Sequence, residues 1–304
     1  MKMKKFIAVL SMAAMIGTLA VGCGKSNEES KGEDAKAEAG SDWDSSMDIT
    51  IVSREDGSGT RGAFIELFGV EEKQGDEKVD MTTEEAQITN STSVMLTTVA
   101  GDEYAIGYVS LGSLDDSVKA VKIDGAEATA ENIKNDSYKV SRPFNIATKK
   151  GLDNEVAKDF INFIMSKEGQ EVVAENGYIG DDSAAAFSGS NPSGKAVVGG
   201  SSSISPVMEK LIEAYKAVNA NAEIELQTTD STTGMTSAID GSYDIGMASR
   251  ELKDEEAAEL DSQVIATDGI AVIVNKANTT DELSGDQVKA IYTGEALTWD
   301  EVVE

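Results

Sequence analysis

Residues 52–61 read Val52-Ser53-Arg54-Glu55-Asp56-Gly57-Ser58-Gly59-Thr60-Arg61. Ile49 and Ile51 stand just before them, and Ala63, Phe64, Leu67 and Phe68 come after. The first side reads as a strand over 49–53, and the second places its apolar side chains on one face of a helix. A strand therefore hands over to a helix through a turn made of glycine and hydroxyl residues. The start of a helix carries unpaired N–H groups and the positive end of its dipole, which suits an anion. Glycines let the backbone come close, and Ser58 and Thr60 add donors that can be aimed. Arg54 adds a fixed cation able to grip an oxyanion with two parallel bonds. Asp56 is placed to hold that guanidinium.

The same unit recurs further along. Gly199-Gly200-Ser201-Ser202-Ser203 and Thr228-Thr229-Asp230-Ser231-Thr232-Thr233-Gly234 each sit between a predicted strand and a predicted helix. Either turn alone is explained by ordinary helix capping, since Ser and Thr are favoured N-caps. The first turn lacks the Lys-Ser/Thr of a phosphate-binding P-loop and the Gly-x-Ser-x-Gly spacing of a nucleophile elbow. Three donor-rich helix starts without a catalytic base point to binding and not to turnover.

Outward from these turns, the pattern predicts strands over 105–111, 118–123, 143–148, 196–199, 223–227, 244–248 and 269–275. Helices are expected over 94–99, 156–164, 204–215, 232–240, 253–260 and 284–292. Residues 181–195 contain Ser-Gly-Ser-Asn-Pro-Ser-Gly and read as a linker. Alternating strands and helices imply an α/β fold with mainly parallel sheets. About 255 residues outside the N-terminal segment favour two lobes over one.

The bulk composition excludes several function classes. With 26 basic and 55 acidic side chains the formal net charge is −29, so nucleic acid is not an expected partner. A buried anion site is compatible with that balance, because local N–H dipoles and one or two cations hold the ligand while net charge governs solubility and approach. The chain has no histidine, which removes the commonest general base and metal ligand. No cofactor or metal is expected, and no catalytic residue.

At the N-terminus Lys2, Lys4 and Lys5 precede an apolar run ending at Val21-Gly22-Cys23. The run is too short to span a bilayer comfortably and reads as a signal peptide over 1–23. Cys23 is the only cysteine, so no intrachain disulfide can form, and its setting resembles a bacterial lipobox in which the cysteine is lipidated. Residues 24–47 are polar and charged and read as a flexible tether.

These residues resemble a known family. The 52–61 stretch, Gly200-Ser201-Ser202-Ser203-Ile204-Ser205-Pro206, and Tyr243-Asp244-Ile245-Gly246-Met247-Ala248-Ser249-Arg250-Glu251-Leu252-Lys253 are similar to the phosphate-binding proteins of the high-affinity phosphate ABC importer. So are Ala105-Ile106-Gly107-Tyr108-Val109-Ser110-Leu111, Asp268-Gly269-Ile270-Ala271-Val272-Ile273-Val274-Asn275 and Ile291-Tyr292-Thr293-Gly294. The resemblance spans 48–304, with its halves in inverted order. It implies a two-lobed periplasmic-binding-protein type II fold with two crossovers, circularly permuted. Residues 181–195 would then join the family's usual C- and N-termini. Lobe two would comprise 48–112 with the 287–304 tail, and lobe one 113–180 and 196–286. An exchange of halves between two chains is the competing explanation of the order; a monomer is expected.

The resemblance further implies that Arg54, Ser58, Gly59, Thr60, Ser202, Ser203 and Ser231 bind inorganic phosphate, with Asp56 orienting Arg54. Many members carry aspartate where this chain has Arg250, and that aspartate accepts the proton phosphate retains. Asp230 is the substitute acceptor suggested by its place beside Ser231. Arg250 either adds a cation to the cleft or pairs with Glu251 or Asp244. The implied partners are phosphate and ABC permease subunits, with the membrane reached only through a lipid on Cys23 at the extracellular face. A binder of sulfate or molybdate, a phosphate sensor uncoupled from transport, and a phosphatase-like hydrolase are the rival readings.

Overall fold

The computed structural model describes residues 43–75 and 77–303. The expected signal peptide, Cys23 and most of the expected tether lie outside the described residues. One hydrogen-bonded run of strands organises the body. In chain order these are β1 (Thr50–Arg54), β2 (Gln87–Thr89), β3 (Ala105–Ser110), β4 (Ser141–Lys149), β5 (Gly194–Ser201), β6 (Ala222–Thr229), β7 (Ile245–Ala248) and β8 (Leu260–Val274). Their order across the sheet is β6-β5-β7-β4-β8-β3-β1-β2. β1 pairs parallel with β2 and β3, and β5 pairs parallel with β6 and β7. The middle of the sheet is antiparallel, because β4 and β8 run against each other and against their outer neighbours.

Helices flank this sheet, among them α1 (Gly59–Leu67), α2 (Thr92–Gly101), α3 (Glu155–Ile164), α4 (Ser205–Val218), α5 (Ser231–Asp240) and α6 (Gly285–Thr293). Each forms where the sequence supplies both an apolar stripe and a start signal. Ser58, Ser91, Asn154, Asp230 and Ser284 cap five of them with a side-chain oxygen, and Pro206 sits in the first turn of α4. Caps of this kind satisfy otherwise orphaned N–H groups, each worth about 1 kcal/mol.

Two large apolar clusters form the cores of two lobes. The first gathers β1, α1, α2, β3, residues 118–140, the Ile270–Val274 half of β8, and α6. Phe64 stacks on Tyr108 at 3.9 Å between ring centres, with Tyr292 edge-on at 4.6 Å. The second gathers Phe144 and Ile146 of β4 with α3, β5, α4, β7 and Ile265. The changeover falls between Val140 and Phe144 and again between Ala266 and Ile270. The sequence division at 112/113 and 286/287 is therefore corrected: Val118, Val121, Ile123 and Leu283 pack with the first core. The reason is β8, a strand of 15 residues with a register irregularity between Val264 and Ala266, which carries the chain from one core to the other. Residues 260–269 pair with β4 and residues 270–274 with β3.

Both ends of the body lie side by side. Ile49 donates its N–H to the Leu297 carbonyl at 2.8 Å, and Asp48 pairs antiparallel with Thr298. Trp299 is fully buried, and its indole N–H reaches the Tyr104 carbonyl at 3.0 Å. Residues 43–47, expected to belong to the tether, are part of this structure: Trp43 stacks on Tyr104 and meets Trp299 edge-on. Residues 181–193 form an irregular surface segment tied down at several points. Phe187 packs on Phe163, Ser190 donates its N–H to Asp159 at 2.7 Å, and the Pro192 carbonyl accepts from Asn219.

Candidate functional site

β1 ends at Arg54, and the chain turns through Gly57, whose φ of 87° is in the region that favours glycine. A Cβ there would come within 2.6 Å of the Asp230 carboxylate. At Gly59 the approach is closer still: a Cβ would lie 2.3 Å from Ser231 Oγ and 2.8 Å from Ser249 Oγ. Glycine at 59 thus lets the start of α1 touch the start of α5. Gly59→Ala is expected to lower stability by about 1–3 kcal/mol through overpacking. Calorimetric melting checks this, and an unchanged midpoint would show that the two helix starts do not meet.

Around that contact the hydroxyl groups of both lobes form one buried network. Thr60 Oγ1 lies 2.7 Å from Ser203 Oγ, and Arg54 donates an NH2 proton to Ser202 Oγ at 3.1 Å. Thr92, the first residue of α2, has its Oγ1 3.3 Å from Ser202 and 3.4 Å from Ser203. Ser231 Oγ accepts the Ser249 N–H at 3.1 Å, and Ser201 donates its hydroxyl to Ser249 at 2.8 Å. The starts of α1, α2 and α5 and the turn into α4 all bring residues to this place. Converging helix N-termini add their positive ends, and every hydroxyl can rotate to donate elsewhere. The arrangement is rich in donors, and Arg54 supplies a fixed cation. It suits a small, tetrahedral, multiply charged anion.

Arg54 is buried and rigidly held. Its Nε and NH2 each donate to the Glu55 carboxylate at 2.7 Å, and its backbone N–H donates to the Tyr108 hydroxyl at 3.1 Å. The partner assigned from the sequence was Asp56, and the structure corrects it. The turn that starts at Asp56 carries that side chain fully into solvent, where it meets Arg61 at 3.2 Å. Ser58 is the N-cap of α1, accepting the Arg61 N–H at 3.3 Å.

The two residues expected to complete the site do other work. Arg250 forks onto Glu256 at 2.7 and 2.8 Å. Burial pushes the Glu256 carboxyl up, and the Arg250 guanidinium with the Lys253 N–H brings it net below its ordinary value. The expected pairing with the Glu251 or Asp244 carboxylate is not found: Asp244 accepts from Val197 and Asn154, and Glu251 offers Arg250 only its carbonyl. Asp230 caps α5, accepting the Thr233 N–H at 2.8 Å, so its carboxylate is spent on the helix.

Four contributors escape a reading of the sequence. Thr92 belongs to Asn90-Ser91-Thr92-Ser93, a fourth hydroxyl-rich helix start that the same criterion would have found. Ser249 lies inside the 243–253 motif without any local sign of a role. Arg142 and Asp268 face each other as register partners on β4 and β8, at the point where both strands pass between the cores. They form a buried ion pair at 3.1 Å; Ser110 donates to Asp268 at 2.9 Å, and Arg142 donates to the Ser249 carbonyl at 3.0 Å. Burial pushes the Asp268 carboxyl up to about 6, against the opposite pull of Arg142 and Ser110. Two grooves border the network. One of about 750 Å³ is lined by Ser58, Arg61, Arg142, Thr232 and Arg250; another of about 410 Å³ by Thr92, Ser202, Ser205 and Glu209.

A family model described as a PBP superfamily domain matches residues 9–168 and 185–303. The phosphate-binding protein PstS 2 of Streptococcus agalactiae serotype V is 54% identical over 306 residues, covering 99% of both chains. The chain belongs to the PstS family of phosphate-binding proteins. The PstS 2 protein of Streptococcus pneumoniae serotype 4 is 41% identical over 303 residues, 99% of this chain and 100% of its own. The crystal structure of a phosphate ABC transporter, phosphate-binding protein from Streptococcus pneumoniae TIGR4 matches with a TM-score of 0.67 and 44% identity. It covers 84% of this chain and 100% of that one. Among the described residues of this PstS-family chain, no helix is long and apolar enough to cross a membrane.

Proposed function

We infer that this chain captures inorganic phosphate between its lobes and delivers it to the permease of an ABC importer. The observation that carries the reading is the convergence of four helix starts and Arg54 on one buried hydroxyl network. Arg54, Ser58, Gly59, Thr60, Ser202, Ser203 and Ser231 bind the anion in this reading, joined by Thr92. The family names of its relatives support the ligand. With no histidine in the chain, the hydroxyls lack their usual activating base, and we read the protein as a binder without catalysis. Lipidation of Cys23 would hold it at the extracellular face of the membrane, and we read it as a monomer. A general oxyanion site drew its support from Arg250 as an added cation. That cation is committed to Glu256.

Closure of the cleft would bend β4 and β8, the strands that serve both cores, near Arg142 and Asp268. The inverted order of motifs is read as a circular permutation. Its support is the antiparallel contact between the two ends of the body and the surface position of 181–193, the arrangement that permits such a change.

Isothermal titration of the ligand-stripped protein tests the reading. Tight one-to-one binding of phosphate that survives excess sulfate is expected. Equal affinity for sulfate would make this a general oxyanion binder, and no heat from either anion would refute the transport role.

A further inference from the structure

We propose that Ser249 is a positioning residue of the anion site, one that acts through Ser231 by deciding where its hydroxyl proton points. The assignment rests on the phosphate reading. A hydroxyl donates one proton and accepts at two lone pairs, so a chain of hydroxyls can be given a direction. Here the chain begins at a backbone group. The Ser203 N–H donates to Ser201 Oγ at 3.3 Å, and Ser201 donates its own proton to Ser249 Oγ at 2.8 Å. Ser249 Oγ lies 3.4 Å from Ser231 Oγ, to which the Ser249 N–H also donates at 3.1 Å.

With Ser201 donating to it, the Ser249 hydroxyl is left to turn its proton to Ser231. The Ser231 oxygen then accepts twice, from the N–H and the O–H of one residue. Its own proton remains for a group outside the relay. Ser231 is fully buried, and its oxygen stands against the start of α1, where a Cβ on Gly59 would come within 2.3 Å. Both Ser231 and Gly59 bind the anion in the phosphate reading, so the remaining proton is offered at the site. Hydrogen bonds in such a chain polarise one another, and removing a member weakens the donor at its end.

Ser249 can set this direction because it is itself held fast. It follows β7 directly and is fully buried. Its carbonyl accepts from Arg142 at 3.0 Å, and Arg142 is paired with Asp268 where β4 and β8 pass between the cores. The next carbonyl, that of Arg250, accepts from Asn145 at 2.9 Å. Arg142 and Asn145 both belong to β4. The turn that carries Ser249 is thus tied at two points to a strand that serves both lobes.

The test is a double-mutant cycle of Ser249→Ala and Ser231→Ala, read by isothermal titration of phosphate into the full chain, with melting curves to show that each variant is folded. Ser249→Ala removes the relay and keeps the backbone bonds. It should weaken phosphate binding about 10-fold, and Ser231→Ala should weaken it at least as much. In the chain that already carries Ser231→Ala, adding Ser249→Ala should cost less than about threefold more, because its target is gone. Ser249→Cys puts a weaker donor and acceptor at the same point and should fall between wild type and Ser249→Ala. It takes the place of Ser249→Ala in the cycle if that chain does not fold. An equal loss from Ser249→Ala with and without Ser231 would mean that the serine acts by packing, and overturns the assignment. A folded single variant of either serine that binds phosphate within about threefold of wild type overturns it too. Wild type that binds no phosphate would instead overturn the phosphate reading, and this one with it.

Discussion

Arg54→Gln is expected to weaken phosphate binding by about 100- to 1,000-fold, corresponding to the loss of one or two charge-assisted hydrogen bonds of about 1.5–3 kcal/mol each. Arg54 donates to the side chain of Ser202 in the network, and its own position is fixed from two sides. Glu55 holds its Nε and NH2 at 2.7 Å, and Tyr108, stacked on Phe64, receives its backbone N–H. The glutamine keeps a polar tip and loses the charge. It also leaves the Glu55 carboxylate, only 20% exposed, without its guanidinium partner. Arg54→Lys should recover only part of the affinity, because an ammonium offers a point charge and cannot fork onto Glu55 while serving the anion. Titration calorimetry reads both variants. Affinity within about threefold of wild type for Arg54→Gln would remove Arg54 from the site, since that corresponds to less than about 0.7 kcal/mol.

Trp299→Ala is expected to cost about 3–5 kcal/mol of stability, the range for truncating a large buried aromatic side chain. Trp299 is completely buried, meets Trp43 at 5.8 Å, and is held by a hydrogen bond from its indole to the Tyr104 carbonyl. It anchors the tail that pairs with residues 48 and 49, so its loss should free both ends of the body together. The hydroxyl network shares no hydrogen bond with these residues, and phosphate affinity of the folded fraction should hold. Urea denaturation monitored by far-ultraviolet circular dichroism measures the change. A loss below about 1 kcal/mol, the size of an ordinary surface effect, would mean that the tail is peripheral to the fold.

Much of the site was legible along the chain because its chemistry is local. A helix start announces itself by a hydroxyl or carboxylate cap, and a strand by its apolar run. The turns at 54–60, 199–203 and 228–234 could therefore be read without knowing what they face. The same criterion covers Thr92, whose Asn90-Ser91-Thr92-Ser93 turn has the same make-up. β8 shows where local reading stopped. Its second half is a continuous apolar run, but Asp261, Ser262 and Gln263 in its first half are exposed and polar, and nothing in them signals a strand. With half of β8 unseen, the strand that joins the two cores was missed, and the division between the lobes was misplaced.

The choice between Glu55 and Asp56 as the partner of Arg54 depends on side-chain direction at a single turn, which residue type and spacing do not carry. The fate of Arg250 depends on Glu256, six residues away across a short helix start. The Arg142–Asp268 pair joins residues separated by 126 positions, and only the register of β4 on β8 brings them together. The sequence by itself therefore determined the α/β class, the family and the residue types that gather in the hydroxyl network, because caps, periodicity and motifs are properties of short segments. Which carboxylate faces which guanidinium was decided by the tertiary structure, because an ion pair depends on distance in space, and that distance is set by strand register and turn direction.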